Sequence, residues 1–317
     1  AEVLAGTDTG RVYAVRCSDL ELRLLQECNV APIRGVAFGA RSDVFATVSS
    51  DGSVRIVDLS DYSVLAQARG HCAATAVTFD GEETVLTGWE DGALKALSAV
   101  TGDSKAQIAK CHRGAVTCIA VGAEFIFTGG DDGAMRVWSR RSLEFVAQYA
   151  EHSKPMSGLL VDREQPHLVH SCSLDRAVVT YDLKTTRRCN YKMHRDGAFT
   201  GLCQRVDSEQ ELLTSTSDGF IMSWDCDVQL PVMALDCGRR LKFQCIAITP
   251  GGRFVAVGCE DHAVRIWDIV AMEVVAVCRG HSGEISKLAW SPDEKQLVSV
   301  GLDAAVCVWN FYLGGLN

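Results

Sequence analysis

His112, Thr128 and Asp132 are the residue types of a catalytic triad: a hydroxyl to attack a carbonyl, an imidazole to take its proton, and a carboxylate to hold the imidazole in one tautomer. Found once, such a set would point to acyl transfer. It is found more than once: His281, Ser299 and Asp303 repeat it, and His194, Thr214 and Asp218 approach it with one extra residue after the histidine. An active site is built once, whereas a polar cluster that recurs with a structural period satisfies the same hydrogen-bonding need in every unit. No GxGxxG or GxxxxGK loop is present to cradle a phosphate. The chain is expected to be neither an enzyme nor a carrier of a cofactor or metal.

The aspartates of these sets sit in a turn that recurs eight times, at Thr9, Asp51, Asp91, Asp132, Asp175, Asp218, Asp261 and Asp303, at spacings of 42, 40, 41, 43, 43, 43 and 42 residues. Repeats of roughly 40–45 residues, each carrying several short strands, are the units of an all-β propeller, whose blades cannot bury their faces alone. The last unit divides cleanly into strands at Glu284 to Trp290, Gln296 to Val300 and Ala305 to Trp309, with turn chemistry at Ser291-Pro292-Asp293. Other units add an apolar fourth strand, such as Val64 to Ala68 or Val274 to Val277. The third strand ends on Trp138, Trp224, Trp267 and Trp309, and on Tyr181 in another unit, while Leu97 and Val57 stand there in two more.

These features resemble the tryptophan-aspartate (WD) repeat propeller family over essentially the whole chain. The resemblance implies a buried tetrad of His, Ser or Thr, Asp and Trp in each complete blade, carried here by His112, Thr128, Asp132 and Trp138 and by His281, Ser299, Asp303 and Trp309. The unit of Asp261 departs from it, with Val257 in place of the hydroxyl and no histidine, so packing must hold that blade.

Counting strands gives thirty, two more than the twenty-eight of seven four-stranded blades. The expected ring uses Leu22 to Gln26 as the fourth strand of the last blade, which removes its free edges. Residues 1–16 are then a leftover hairpin of a blade in a second propeller upstream, 17–313 the propeller, and 314–317 a tail. Eight blades is the alternative.

Composition narrows the function classes. A net charge of −9 and a pI near 5.4 argue against binding along a phosphate backbone, so no nucleic acid is expected. No run of about 18 apolar residues reads as a membrane span, and the start AEVLAGTDTG has no signal-peptide pattern. The 14 cysteines include no Cys-x-x-Cys pair, and neither Cys226 nor Cys237 has metal-ligand spacing; they read as buried thiols of a reducing, cytoplasmic compartment.

Two surfaces are candidates for protein binding. Trp89, two residues ahead of the Asp91 turn, is the expected aromatic anchor on the face carrying the repeated aspartates. On the opposite face Arg140, Arg141, Lys184, Arg187 and Arg188 fall at the turns between strands three and four of successive units, a basic strip suited to an acidic partner.

The segments HSGEISKLAWSPDEKQLVSVGLDAAVCVWN, GAVTCIAVGAEFIFTGGDDGAMRVWS and GTDTGRVYAVRCSDLELRLL look like those of ciliary and centriolar WD-repeat proteins, such as the cilia- and flagella-associated members. That narrower resemblance implies a non-catalytic scaffold of the cytoskeleton, in a cilium or flagellum axoneme or at a centriole or basal body. Its implied partner is tubulin in microtubules or another axonemal or centriolar protein. The alternative is an adaptor that captures a peptide or protein on its top face, as ubiquitin-ligase receptors and signalling scaffolds do.

Overall fold

The computed structural model describes residues 30–40, 43–205, 211–225, 228, 230–237 and 241–312, together with the backbone of strands Glu2–Gly6, Arg11–Arg16 and Leu22–Glu27. Thr9, Cys226 and the tail 314–317 lie outside the described residues.

Alternating apolar and small residues set each strand. In the segment VTCIAV the burial alternates along Val116–Val121, which lies innermost in its sheet. The next strand, Phe125–Gly130, is buried over nearly its whole length because blades cover both of its faces, whereas the outermost strand, Phe145–Tyr149, is largely exposed. Sheets of this kind span residues 33–69, 74–108, 116–149, 156–193, 199–236, 243–279 and 285–310, and are called the first to seventh blades in that order. Each innermost strand packs on that of the next blade, and Ile285–Trp290 packs on Ile33–Phe38, so the ring closes with seven blades and not eight. No helix among the described residues is long and apolar enough to cross a membrane.

A β-bulge recurs at the same place in every blade, between the first two strands, for instance at Val116/Cys118 and Ile285/Lys287. The bulge re-aims one side chain. At that position the Thr75 hydroxyl donates to the Val116 carbonyl at 2.6 Å and Ser157 to the Phe199 carbonyl at 2.6 Å, each reaching the following blade. Ser286 donates in the same way to the Ile33 carbonyl, joining the seventh blade to the first across the closure.

The closure differs from the strand count in one detail. Leu22–Glu27 pairs with Arg11–Arg16, which pairs with Glu2–Gly6, in a separate three-stranded sheet. The seventh blade therefore shows three strands, ending at Val306–Asn310, while the other six have four. Strands adjacent in sequence pair at the lowest loop-closure cost, and here the local meander prevails over pairing between distant parts of the chain.

The turn after each repeated aspartate needs a left-handed residue. Gly133 supplies it with φ 70°, where an added Cβ would lie 2.4 Å from the His152 carbonyl oxygen. Arg176, His262 and Ala304 adopt the same conformation, at φ 72°, 65° and 61°, with the strain of a side chain.

Candidate functional site

The third blade holds a complete polar tetrad. His112 Nδ1 lies 2.9 Å from Asp132 Oδ1, and its Nε2 lies 2.9 Å from Thr128 Oγ1, which also accepts the Trp138 indole N–H at 3.0 Å. The seventh blade repeats this with His281, Asp303, Ser299 and Trp309 at 3.0, 2.8 and 2.8 Å. Burial pushes the Asp132 carboxyl up, but hydrogen bonds from His112 and Arg136 outweigh it and hold the group well below the usual carboxylate range. Burial lowers the His112 pKa against the pull of Asp132, favouring the neutral ring that a triad base needs. The obstacle to catalysis is access. Thr128 and Ser299 are each 0% exposed, and an indole N–H already occupies one lone pair of each hydroxyl oxygen.

The fourth blade carries a set that the sequence pattern missed. His152 Nδ1 lies 3.0 Å from Asp175 Oδ2 and its Nε2 2.8 Å from Ser171 Oγ, with buried Tyr181 where the indole would be. The signal was present: His152-Ser153 stands to Asp175 much as His281-Ser282 stands to Asp303. In the fifth blade the tetrad is split. His194 reaches Asp218 through Nε2 at 2.9 Å, while Trp224 donates to Thr214 at 2.9 Å, and His194 makes no bond to that hydroxyl. In the sixth, Val257 offers no acceptor and the buried Trp267 Nε1 has no partner among the described residues, while Arg265 grips Asp261 with two bonds of 2.8 and 2.6 Å.

Trp89 is a correction. Its side chain is 1% exposed and its N–H donates to Thr87 Oγ1 at 3.0 Å, the bond Trp138 makes to Thr128. Leu97 leaves the usual tryptophan volume empty, and an indole from the second strand fills it. Gly70 makes room, because a Cβ there would lie 2.0 Å from the indole ring. A residue so enclosed offers no anchor to a partner.

The basic strip divides. Arg140 of the third blade donates to Asp80 of the second at 2.6 Å and to the carbonyls of Gly122 and Ala123, so it ties blades together. Arg188 bonds Glu151 at 2.9 Å and lies over the Tyr191 ring. Arg141, Lys184 and Arg187 are exposed and have no ion-pair partner among the described residues. Between the first two blades, a groove of about 400 Å3 is instead lined by Asp43, Glu82 and Glu83 with Leu65 and Val100. Burial keeps core thiols protonated near neutral pH, pushing Cys118 up to about 11 and Cys245 up to about 12.

The family profile described as "WD domain, G-beta repeat" matches residues 22–58, 104–139, 240–268 and 272–310. Strands one to three of the second, fourth and fifth blades fall outside those matches. The chain is similar to cilia- and flagella-associated protein 52 of Chlamydomonas reinhardtii, 31% identical over 96% of this chain, and to that of Sus scrofa, 26% identical over 98%. The human protein of that name is also 26% identical over 98% of this chain. In each case the chain spans about half the length of the relative it matches, 50%.

Proposed function

From the premise that this chain is a seven-bladed WD-repeat propeller, we propose that it is a non-catalytic scaffold of a ciliary or flagellar assembly, held to the microtubules of the axoneme. The observation that carries the reading is the likeness to ciliary and flagellar proteins of an alga and of mammals, which runs through nearly the whole ring. Burial of every tetrad hydroxyl supports the absence of catalysis. Arg141, Lys184 and Arg187 supply the physical contact: exposed, uncommitted cations on an acidic protein, suited to steering toward the acidic surface of tubulin. With Trp89 inside its blade, the adaptor reading loses its anchor, and the cationic face is the one favoured. The sheet formed by Glu2–Gly6, Arg11–Arg16 and Leu22–Glu27 outside the ring supports a neighbouring blade of a further propeller.

The test is retention in a ciliated cell. A tagged copy of the chain should remain with detergent-extracted axonemes, and release into the detergent-soluble fraction would refute axonemal attachment.

A further inference from the structure

In the third, fourth and seventh blades the tetrad histidine is enclosed, with side-chain exposures of 0%, 0% and 1%, and both ring nitrogens are used inside the blade. The second blade cannot admit its histidine. Trp89 fills the interior and takes the Thr87 hydroxyl, so His71 stands at the surface with its side chain 71% exposed. Its Nε2 still meets the turn aspartate, 3.0 Å from Asp91 Oδ2.

Asp91 differs from its counterparts too. Asp132, Asp175 and Asp303 each accept a backbone N–H on Oδ2 from the residue after the histidine, at 3.3, 2.9 and 2.8 Å from Arg113, Ser153 and Ser282. Asp91 accepts Ala93 N–H on Oδ1 at 3.0 Å, and among the described residues its Oδ2 meets only His71. The residue after this histidine is Cys72, and its sulfur turns to the pair: ligand atoms of His71, Cys72 and Asp91 all lie within 4.8 Å of one another. A contact between His71 and Asp91 accounts for two of these groups and gives the thiol no part.

Thiolate, imidazole and carboxylate are the donors of a tetrahedral zinc ion, at about 2.3, 2.0–2.1 and 2.0–2.2 Å from the metal. Tetrahedral angles then set the donors roughly 3.2–3.7 Å apart. The 3.0 Å separation of His71 and Asp91 is already near that spacing, and the exposed His71 side chain can rotate toward the half-buried Cys72 sulfur to close the remaining gap. We propose that His71, Cys72 and Asp91 form a Zn2+ site on the face of the propeller carrying the repeated aspartate turns, with water in the fourth position. On binding, neutral His71 and the Asp91 carboxylate donate directly, and the Cys72 thiol gives its proton to solvent as the Zn–S bond forms, so affinity rises with pH. The site is independent of the cations on the opposite face and of the ciliary reading. The sequence hides it, because His71 and Cys72 are adjacent while Asp91 lies a strand pair away, a spacing unlike that of a zinc finger.

The experiment is calorimetric titration of the metal-free chain with Zn2+, alongside Co2+ substitution followed by absorbance, where a thiolate-to-cobalt charge-transfer band reports a cysteine ligand. One equivalent should bind. His71→Ala, at an exposed position, and Cys72→Ala, at a half-buried one, should each weaken binding more than about 10-fold, and Cys72→Ala should remove the band. Cys189→Ala, at an exposed cysteine elsewhere, should change neither. No saturable binding, or binding and a band that survive both site variants, overturns the proposal.

Discussion

The second and third blades share one frame and solve its interior differently. Both have four strands and an aspartate turn, and in both an indole N–H rests on a threonine hydroxyl, at 3.0 Å in each. In the third blade the indole comes from the third strand and leaves a slot for His112; in the second it comes from the second strand and closes that slot. The polar requirement is therefore a buried hydroxyl with its donors satisfied, and the source of the indole is free to change. What changes with it is the histidine, which is structural in one blade and presented to solvent in the other.

The largest effect expected from this comparison is on Trp89. Trp89→Ala should destabilise the fold by about 3–5 kcal/mol, the usual cost of emptying a buried tryptophan site, and chemical denaturation should give Trp138→Ala a similar value. If Trp89→Ala leaves stability untouched, the two indoles are not equivalent. Next comes Thr128→Val, which removes the hydroxyl that accepts the Trp138 N–H and pairs with His112 Nε2. Leaving both unpaired should cost roughly 2–6 kcal/mol, at about 1–3 kcal/mol for each orphaned buried group, measured by the same denaturation.

The pH dependence should follow the enclosed histidines. Burial lowers the pKa of His112 and His152, against the pull of their aspartates. A depressed histidine contributes stability that is complete above the unfolded value of about 6.5 and is lost as pH falls below it toward the folded pKa. Asp132, also depressed, adds a loss at more acid pH, below the unfolded carboxylate value of about 3.9. The urea midpoint should thus drop between about pH 6.5 and pH 5, and drop less in a His112→Gln, His152→Gln double variant. Equal slopes for the two proteins would remove the histidines from the account.

The smallest effect belongs to the sixth blade, where Trp267 N–H is buried without an acceptor. Val257→Thr, nearly isosteric at a site 0% exposed, should supply the hydroxyl and stabilise by up to about 1 kcal/mol. A loss of stability would mean that this blade has repacked around the missing tetrad.

Much of this architecture is legible in the sequence because its signals are local. The aspartate turns, the alternating strands and the aromatic at the end of the third strand all lie within one repeat, and together they give the ring and two of its tetrads. What escapes is what depends on a neighbour. Whether Trp89 faces a partner or the core is decided by the space that Leu97 leaves and Gly70 clears. Arg140 reads as a free cation until Asp80, 60 residues earlier, arrives from the preceding blade. The fourth-blade set is obscured by Tyr181, which stands where the pattern asks for tryptophan. The pairing of Leu22–Glu27 depends on a competition between sheets that no single repeat encodes.

The central functional claim is that Arg141, Lys184 and Arg187, and not the committed Arg140, carry the contact with an acidic filament. Co-sedimentation with stabilised microtubules across a salt series tests it most directly. The account predicts saturable binding that weakens as salt rises, is abolished by combined Arg141→Glu, Lys184→Glu and Arg187→Glu substitution, and is retained in a folded Arg140→Gln variant. No sedimentation at low salt, or binding unchanged by the triple charge reversal, would contradict it.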